Sequence, residues 1–193
     1  NRVVDARDVV AWYAPDNLFI GNEISRGRYG LHLMYSHGCR IERNHFDANV
    51  VGVFAMYSRR IAIHANRILH AGGAAGMAIG AKESGALAIL DNELADNTTG
   101  LYLDTSPLEP SDENWIEGNT LVLNDRAIVF HGRAERNHFR RNVLRDNAIQ
   151  VALDGGGDAR AADWRGNYFD DYLGYDLDRD GVGDLPYEQR SLA

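Results

Sequence analysis

One asparagine recurs along this chain at nearly constant intervals, and that recurrence restricts the possible folds more than any other feature. It stands at Asn22, Asn44, Asn66, Asn92, Asn119, Asn142 and Asn167, with spacings of 22, 22, 26, 27, 23 and 25 residues. A small residue follows at Gly30, Gly52, Gly76, Gly100, Ala127 and Ala148, and each opens a short apolar–x–apolar run. The runs are Leu31-His32-Leu33, Val53-Phe54-Ala55, Met77-Ala78-Ile79, Leu101-Tyr102-Leu103, Ile128-Val129-Phe130 and Ile149-Gln150-Val151. Alternation with a period of two turns the first and third residue of each run inward and the middle one outward.

A repeat of this length without 3.6-residue periodicity fits a β-solenoid, whereas a leucine-rich repeat would show leucines at fixed offsets. We therefore expect an all-β chain, a right-handed single-stranded parallel β-helix of about seven coils. Coils stacked about 4.8 Å apart make a rod on the order of 30 Å long. The repeated asparagine belongs in a turn, its amide stacked on those above and below, so that polar groups are satisfied coil by coil. From Trp164 the repeat breaks and aromatic residues gather. Residues 1–163 are thus expected to form the coils, and 164–193 a C-terminal cap of the same domain.

Lys and Arg number 20 against 28 Asp and Glu, a net charge of −8. That excludes the basic face of a nucleic-acid binder. The arginines at 133, 136, 140, 141 and 145 are interspersed with acids and read as a solvated face. Cys39 is the only cysteine, so no intrachain disulfide forms. No apolar run approaches the roughly 18 residues of a membrane span. The chain opens mid-pattern at Val3-Val4, with no initiator methionine and no signal peptide, so we expect a processed chain or a fragment with further coils before Asn1.

Chemistry points first to a local duplication. Met34-Tyr35-Ser36-His37 and Met56-Tyr57-Ser58-Arg59 stand 22 residues apart. Counted from inward Leu31 and Leu33, Met34 faces outward, as does Met56, in a column expected to continue as Gly80, Asp104, His131 and Ala152. Two outward thioethers one coil apart converge on one soft ion. His37 lies three residues beyond Met34, and His32 two before it. Thioether with imidazole suits copper(I) over zinc or magnesium. The remaining histidines, His45, His64, His70, His131 and His138, show no metal-ligand spacing.

A second feature is Asp176-Leu177-Asp178-Arg179-Asp180-Gly181-Val182-Gly183-Asp184. Acids at relative positions 1, 3, 5 and 9, with glycine at 6, reproduce most of a calcium loop. Tyr187 stands where an EF-hand places its bidentate glutamate, so Asp176, Asp178, Asp180 and Asp184 describe a calcium site of another kind, one that fixes the cap. Paired carboxylates for glycoside chemistry are weakly represented: Asp104 with Glu83, or Asp47, are the nominees, and no column repeats outward acids. Outward Phe54, Tyr102 and Val129 suggest an apolar stripe for docking a partner.

The runs Gly30-Leu31-His32-Leu33-Met34-Tyr35-Ser36-His37 and Gly52-Val53-Phe54-Ala55-Met56-Tyr57-Ser58-Arg59-Arg60 resemble the NosD family, as does the close from Gly166-Asn167-Tyr168-Phe169-Asp170-Asp171 to Asp184-Leu185-Pro186-Tyr187. The resemblance implies a periplasmic, non-enzymatic β-helix that binds copper. Such a protein works with an ABC transporter and a copper chaperone in maturing nitrous oxide reductase. The expected copper(I) ligands are then Met34, Met56 and His37, with His32 next, in a shallow site suited to transfer. The alternative is a secreted carbohydrate-binding or carbohydrate-processing β-helix.

Overall fold

The computed structural model describes residues 1–188; the last five residues of the expected cap, 189–193, lie outside the described residues. The chain winds through three sheets of eight, seven and seven strands, and every pairing in them is parallel. Each coil visits the three sheets in turn, so residues about one repeat apart in sequence are neighbours in space. The strands of the broad sheet are Asp8–Trp12, Tyr29–Met34, Val51–Met56, Met77–Lys82, Thr99–Asp104, Arg126–His131 and Ile149–Asp154. The other two sheets use strands of two to four residues. The only helical element among the described residues is a 3-10 turn at Ala159–Ala161. Among the described residues, no helix is long and apolar enough to cross a membrane.

Inward residues stack in columns that form one continuous core. Leu31, Val53, Ile79, Leu101 and Ile128 are one such column, and Ile24, Phe46, Ile68, Leu94, Leu121 and Leu144 another. Strands this short must be joined by tight corners, and single left-handed residues make them. After the broad sheet the corner residues are Tyr13, Tyr35, Tyr57, Glu83 and Thr105, with φ between 45° and 50°. Gly132 and Gly155 take over in the last two coils, where no side chain opposes that conformation.

The repeated asparagine follows another left-handed corner and behaves as the spacing requires. In each rung the backbone N–H and the side-chain Nδ2 of one asparagine both donate to Oδ1 of the next, as from Asn44 to Asn66 at 3.0 and 2.9 Å. The Nδ2 group also donates to a backbone carbonyl across the corner, as from Asn66 to Ile41 at 2.8 Å. The ladder runs unbroken from Asn22 to Asn167. A second ladder escaped the sequence reading: Asn97, Asn124 and Asn147 are joined the same way, five residues after the first set. Asn49 holds its place one coil before Ala71, whose N–H still donates to Asn97. A third, shorter ladder joins Ser36, Ser58 and Ser84, each backbone N–H donating to the next hydroxyl.

Two of the sequence-based alignments are out of register. Ile79 pairs with Val53 and Val151 with Ile128. The small-residue column is therefore Gly30, Gly52, Ala78, Gly100 and Ala127, closed by Gln150, and not one through Gly76 and Ala148. The cause is the Gly72–Gly76 insertion in one coil and the polar Gln150 in the other, which set the first small residue apart from the structural one. The coil also continues past residue 163, because Trp164 lies in the strand Asp163–Arg165 and Phe169 in the strand Tyr168–Phe169. Beyond it, residues 170–188 have no strand. Tyr187 returns to stack on Phe169 at 3.9 Å, while Trp164 stacks on Phe139 at 4.3 Å.

Candidate metal centre

The outer face of the broad sheet carries the duplicated methionines. Met34 and Met56 are direct register partners, both half-buried, and both turned away from the core. Trp12 precedes them in the same column and is 64% exposed. The corrected register continues the column as Lys82, Asp104, His131 and Asp154, in place of the expected Gly80 and Ala152. Asp104 and Asp154 thus flank His131 on a face where the sequence reading placed only one acid.

His32 lies two residues before Met34 on the same strand and the same face. Its ring stacks on Tyr29 at 4.7 Å and meets the edge of Phe54 at 5.8 Å. Its Nε2 is shielded from solvent and has no hydrogen-bond partner among the described residues. Burial pushes the His32 pKa down, so at neutral pH the ring is the neutral imidazole that metals require. An imidazole nitrogen with a free lone pair and two thioethers on the same sheet face are the donor types that a soft cation prefers.

His37 is placed differently. Its Nδ1 accepts the backbone N–H of Arg59 at 3.1 Å, which fixes the proton on Nε2 in the neutral ring. It lines a cavity of about 270 Å³ with Tyr35, Tyr57, Arg59, Glu83 and Asp112, a cavity that neither methionine lines. His32 thus shares a strand and its outward face with Met34, whereas His37 lines the cavity at the corner beyond them. The tyrosines of this corner form a stack, Tyr13 on Tyr35 and Tyr35 on Tyr57, each at 4.9 Å. This stack accounts for the tyrosine in the duplicated motif, as the serine ladder accounts for its serine.

The expected docking stripe is largely covered. Phe54 is 8% exposed because its ring folds across Gly80, where even a Cβ would lie 2.4 Å from the phenyl ring. Val129 has no exposed surface between its register neighbours Tyr102 and Ala152, and only Tyr102 of the three is half-buried. The exposed aromatics nearby are Trp12 on this face and Tyr13 at the corner that follows it. Sequence reading passed over them because they lie in the first coil, before the repeated asparagine that anchored the alignment.

In the acidic loop, carboxylate oxygens of Asp176, Asp178 and Asp184 come within 4.8 Å of one another. Asp180 is not among them, its carboxylate accepting the N–H of Val182 at 2.7 Å. Asp176 and Asp184 also accept N–H groups from Gly181 and Leu177, which orients both inward across the turn. Hard oxygen donors in this number fit a calcium ion with water completing its shell.

A further titratable cluster sits on another sheet. His138 stacks on Trp115 at 4.2 Å, and its Nδ1 lies 3.0 Å from Asp163. Arg140 lies over the same indole and donates to the same carboxylate at 3.1 Å. Hydrogen bonding from His138 holds the Asp163 carboxyl at a pKa of about 2.

Fold and face together define a β-solenoid repeat protein whose broad sheet presents a pair of methionines outward. The chain belongs to the NosD family: the family model, described as periplasmic copper-binding protein (NosD), matches residues 1–174. Two curated relatives, from Pseudomonas aeruginosa and Stutzerimonas stutzeri, are each described as a probable ABC transporter binding protein NosD. They are 40% identical over 76 residues and 35% identical over 79 residues. Those matches cover 39% of this chain and 18% and 17% of the two relatives, so the chain corresponds to a small part of either. Among solved structures, the A-module of the Azotobacter vinelandii mannuronan C-5 epimerase AlgE6 superposes with a TM-score of 0.52 over 86% of this chain and 57% of that one. At 15% identity this likeness establishes the shared fold alone.

Proposed function

We propose that this chain is a periplasmic copper(I)-handling module that holds the ion on Met34, Met56 and His32 and yields it to a partner protein. The observation that carries the reading is the direct pairing of two outward methionines on the sheet face that also carries His32, whose buried Nε2 has no partner among the described residues. Copper is cargo here and drives no reaction. The methionines lie on the outer sheet face, where a partner's ligands can replace them one at a time, while the His32 ring has to turn away from Tyr29 and Phe54 to present its Nε2 to the ion. Exposed Trp12 and Tyr13, with half-buried Tyr102, supply the contact surface in place of covered Phe54 and Val129. In this proposal the partner is a copper chaperone or nitrous oxide reductase, in company with an ABC transporter, and the two relatives' descriptions as ABC transporter binding proteins support the last of these.

An anaerobic copper(I) titration against a chromophoric chelator tests the assignment. One tight equivalent is expected, weakened in Met34→Ala, Met56→Ala and His32→Ala and retained in His37→Ala. Copper(I) binding that is unchanged in all three would defeat the proposal.

The acidic loop supports a second, separate reading, calcium held by Asp176, Asp178 and Asp184. It rests on the convergence of three carboxylates across one turn. Calcium is expected to raise the melting temperature and chelator to reverse the rise. Equal melting with and without the ion sinks this second site.

A further inference from the structure

The cavity at the tyrosine corner has a composition that the copper reading leaves unexplained. Its wall is the aromatic stack, and the stack stops in the middle of it. Tyr57 packs on Tyr35 through one face, and the next residue of the corner column is Glu83. Among the described residues no ring covers the other face of Tyr57. Around that face stand Glu83, Glu109 and Asp112 against one arginine, Arg59.

The arginine is already spent. Its Nε and Nη2 donate to the two oxygens of Asp112 at 2.7 and 2.5 Å, a bidentate pair that leaves its charge neutralised. This pair also pins the 107–112 loop, whose carbonyls at Pro107, Glu109 and Asp112 accept from Arg136. The nearby lysine, Lys82, turns to Asp104 at 3.5 Å. No ion pair forms to Glu83 or Glu109 among the described residues. Two carboxylates without an ion-pair contact, felt only at longer range by Arg59 and Lys82, beside a phenol whose second face no ring covers, are the elements that recognise an organic cation.

We propose that this cavity binds an alkylammonium or guanidinium group on the open face of Tyr57, between Glu83 and Glu109. The volume of about 270 Å³ takes one such group and excludes a folded segment. The cation is either a free small amine or the tip of a lysine or arginine on a docking protein. In the second case the cavity is a pin beside the methionine face, since Tyr35 and Tyr57 each follow a methionine directly. The inference does not rest on copper: it stands if the methionines bind nothing.

The test is titration of the intact chain, followed by NMR or tyrosine fluorescence, with three probes: n-butylammonium, N-acetyl-arginine amide and a Gly-Gly-Arg-Gly-Gly peptide. Glu83→Gln and Glu109→Gln, which leave the Arg59–Asp112 pair intact, are each expected to weaken binding about fivefold to tenfold with an unchanged melting temperature. Tyr57→Leu should weaken it similarly, and its melting temperature reports any damage to the stack. Binding of n-butylammonium points to a free amine, and binding of the peptide alone points to a partner side chain. Failure of every probe to bind at millimolar concentration overturns the proposal, as does binding that the Glu83 and Glu109 variants leave untouched.

Discussion

Two columns of side chains run the length of this rod and obey opposite rules. At the inner corner, Asn22 through Asn167 repeat without exception, and each amide is bonded to the next coil. On the outer face of the broad sheet the column reads Trp12, Met34, Met56, Lys82, Asp104, His131 and Asp154, and no residue type persists beyond two coils. A buried turn has a single hydrogen-bond problem, and every coil solves it identically. An outward position has no such problem, so its residues are free to answer to a ligand or a partner. Repetition therefore marks what holds the fold, and a local break in repetition marks what the fold carries.

The sharpest way to break that contrast is to remove a rung. Asn66→Ala deletes acceptors for the backbone and side-chain N–H groups of Asn44, and leaves the carbonyl of Ile41 without its donor. Each buried group left unsatisfied costs about 1–3 kcal/mol, so a loss of about 3 kcal/mol or more in unfolding free energy is expected by urea denaturation. Arg67→Ala next to it, which removes only an exposed pair with Glu93, should change stability by about 0.5 kcal/mol or less. A rung that could be removed as cheaply as that ion pair would show that the asparagines are not the structural element.

The outer column predicts the reverse signature. Met34→Ala and Met56→Ala should each lower copper(I) affinity by at least about tenfold, the scale on which even outer-shell partners of a metal act. Their effect on stability should stay under about 1 kcal/mol, since both side chains are half-buried on a solvated face. The double variant should be no weaker than the weaker single one if the two sulfurs act as a unit. Competition with a chelator and thermal melting, run on the same samples, separate the two effects.

Much of this was legible in the sequence, and what was missed has physical causes. The asparagine spacing disclosed the solenoid because this ladder runs through all seven coils without a substitution. The second ladder could have been read too, since Asn49, Asn97, Asn124 and Asn147 each follow the first set by five residues, but Ala71 interrupts it. Alternation placed Met34 and Met56 correctly, because both coils are 22 residues long and free of insertions. Where the Gly72–Gly76 insertion intervenes, a small residue is no longer a register mark, and Gly80 was set where Lys82 belongs. Outward direction was legible but exposure was not: Phe54 faces out and is still covered, by its own ring lying over Gly80. Nor could spacing separate His32 from His37, because only the fold shows that the Arg59 amide occupies one nitrogen of His37.

The smallest effect comes from a position that belongs to neither column. Asp163 accepts from His138 and Arg140, which lowers its pKa in the folded chain to about 2, against about 3.9 when unfolded. A carboxylate with a depressed folded pKa contributes stability that is complete above the unfolded value and is lost as pH falls through the folded one. The contribution of Asp163 should thus fade between about pH 4 and pH 2 and be flat above pH 5. Asp163→Asn should lower stability modestly at pH 6 and narrow its gap to the wild type at pH 2.5. The pair bridges the strands Asn137–Arg140 and Asp163–Arg165, at the last turn of its sheet, where no further coil stacks among the described residues. A gap that stays constant from pH 6 to pH 2.5 would mean that this end of the rod is held by the Trp164–Phe139 stack and not by charge.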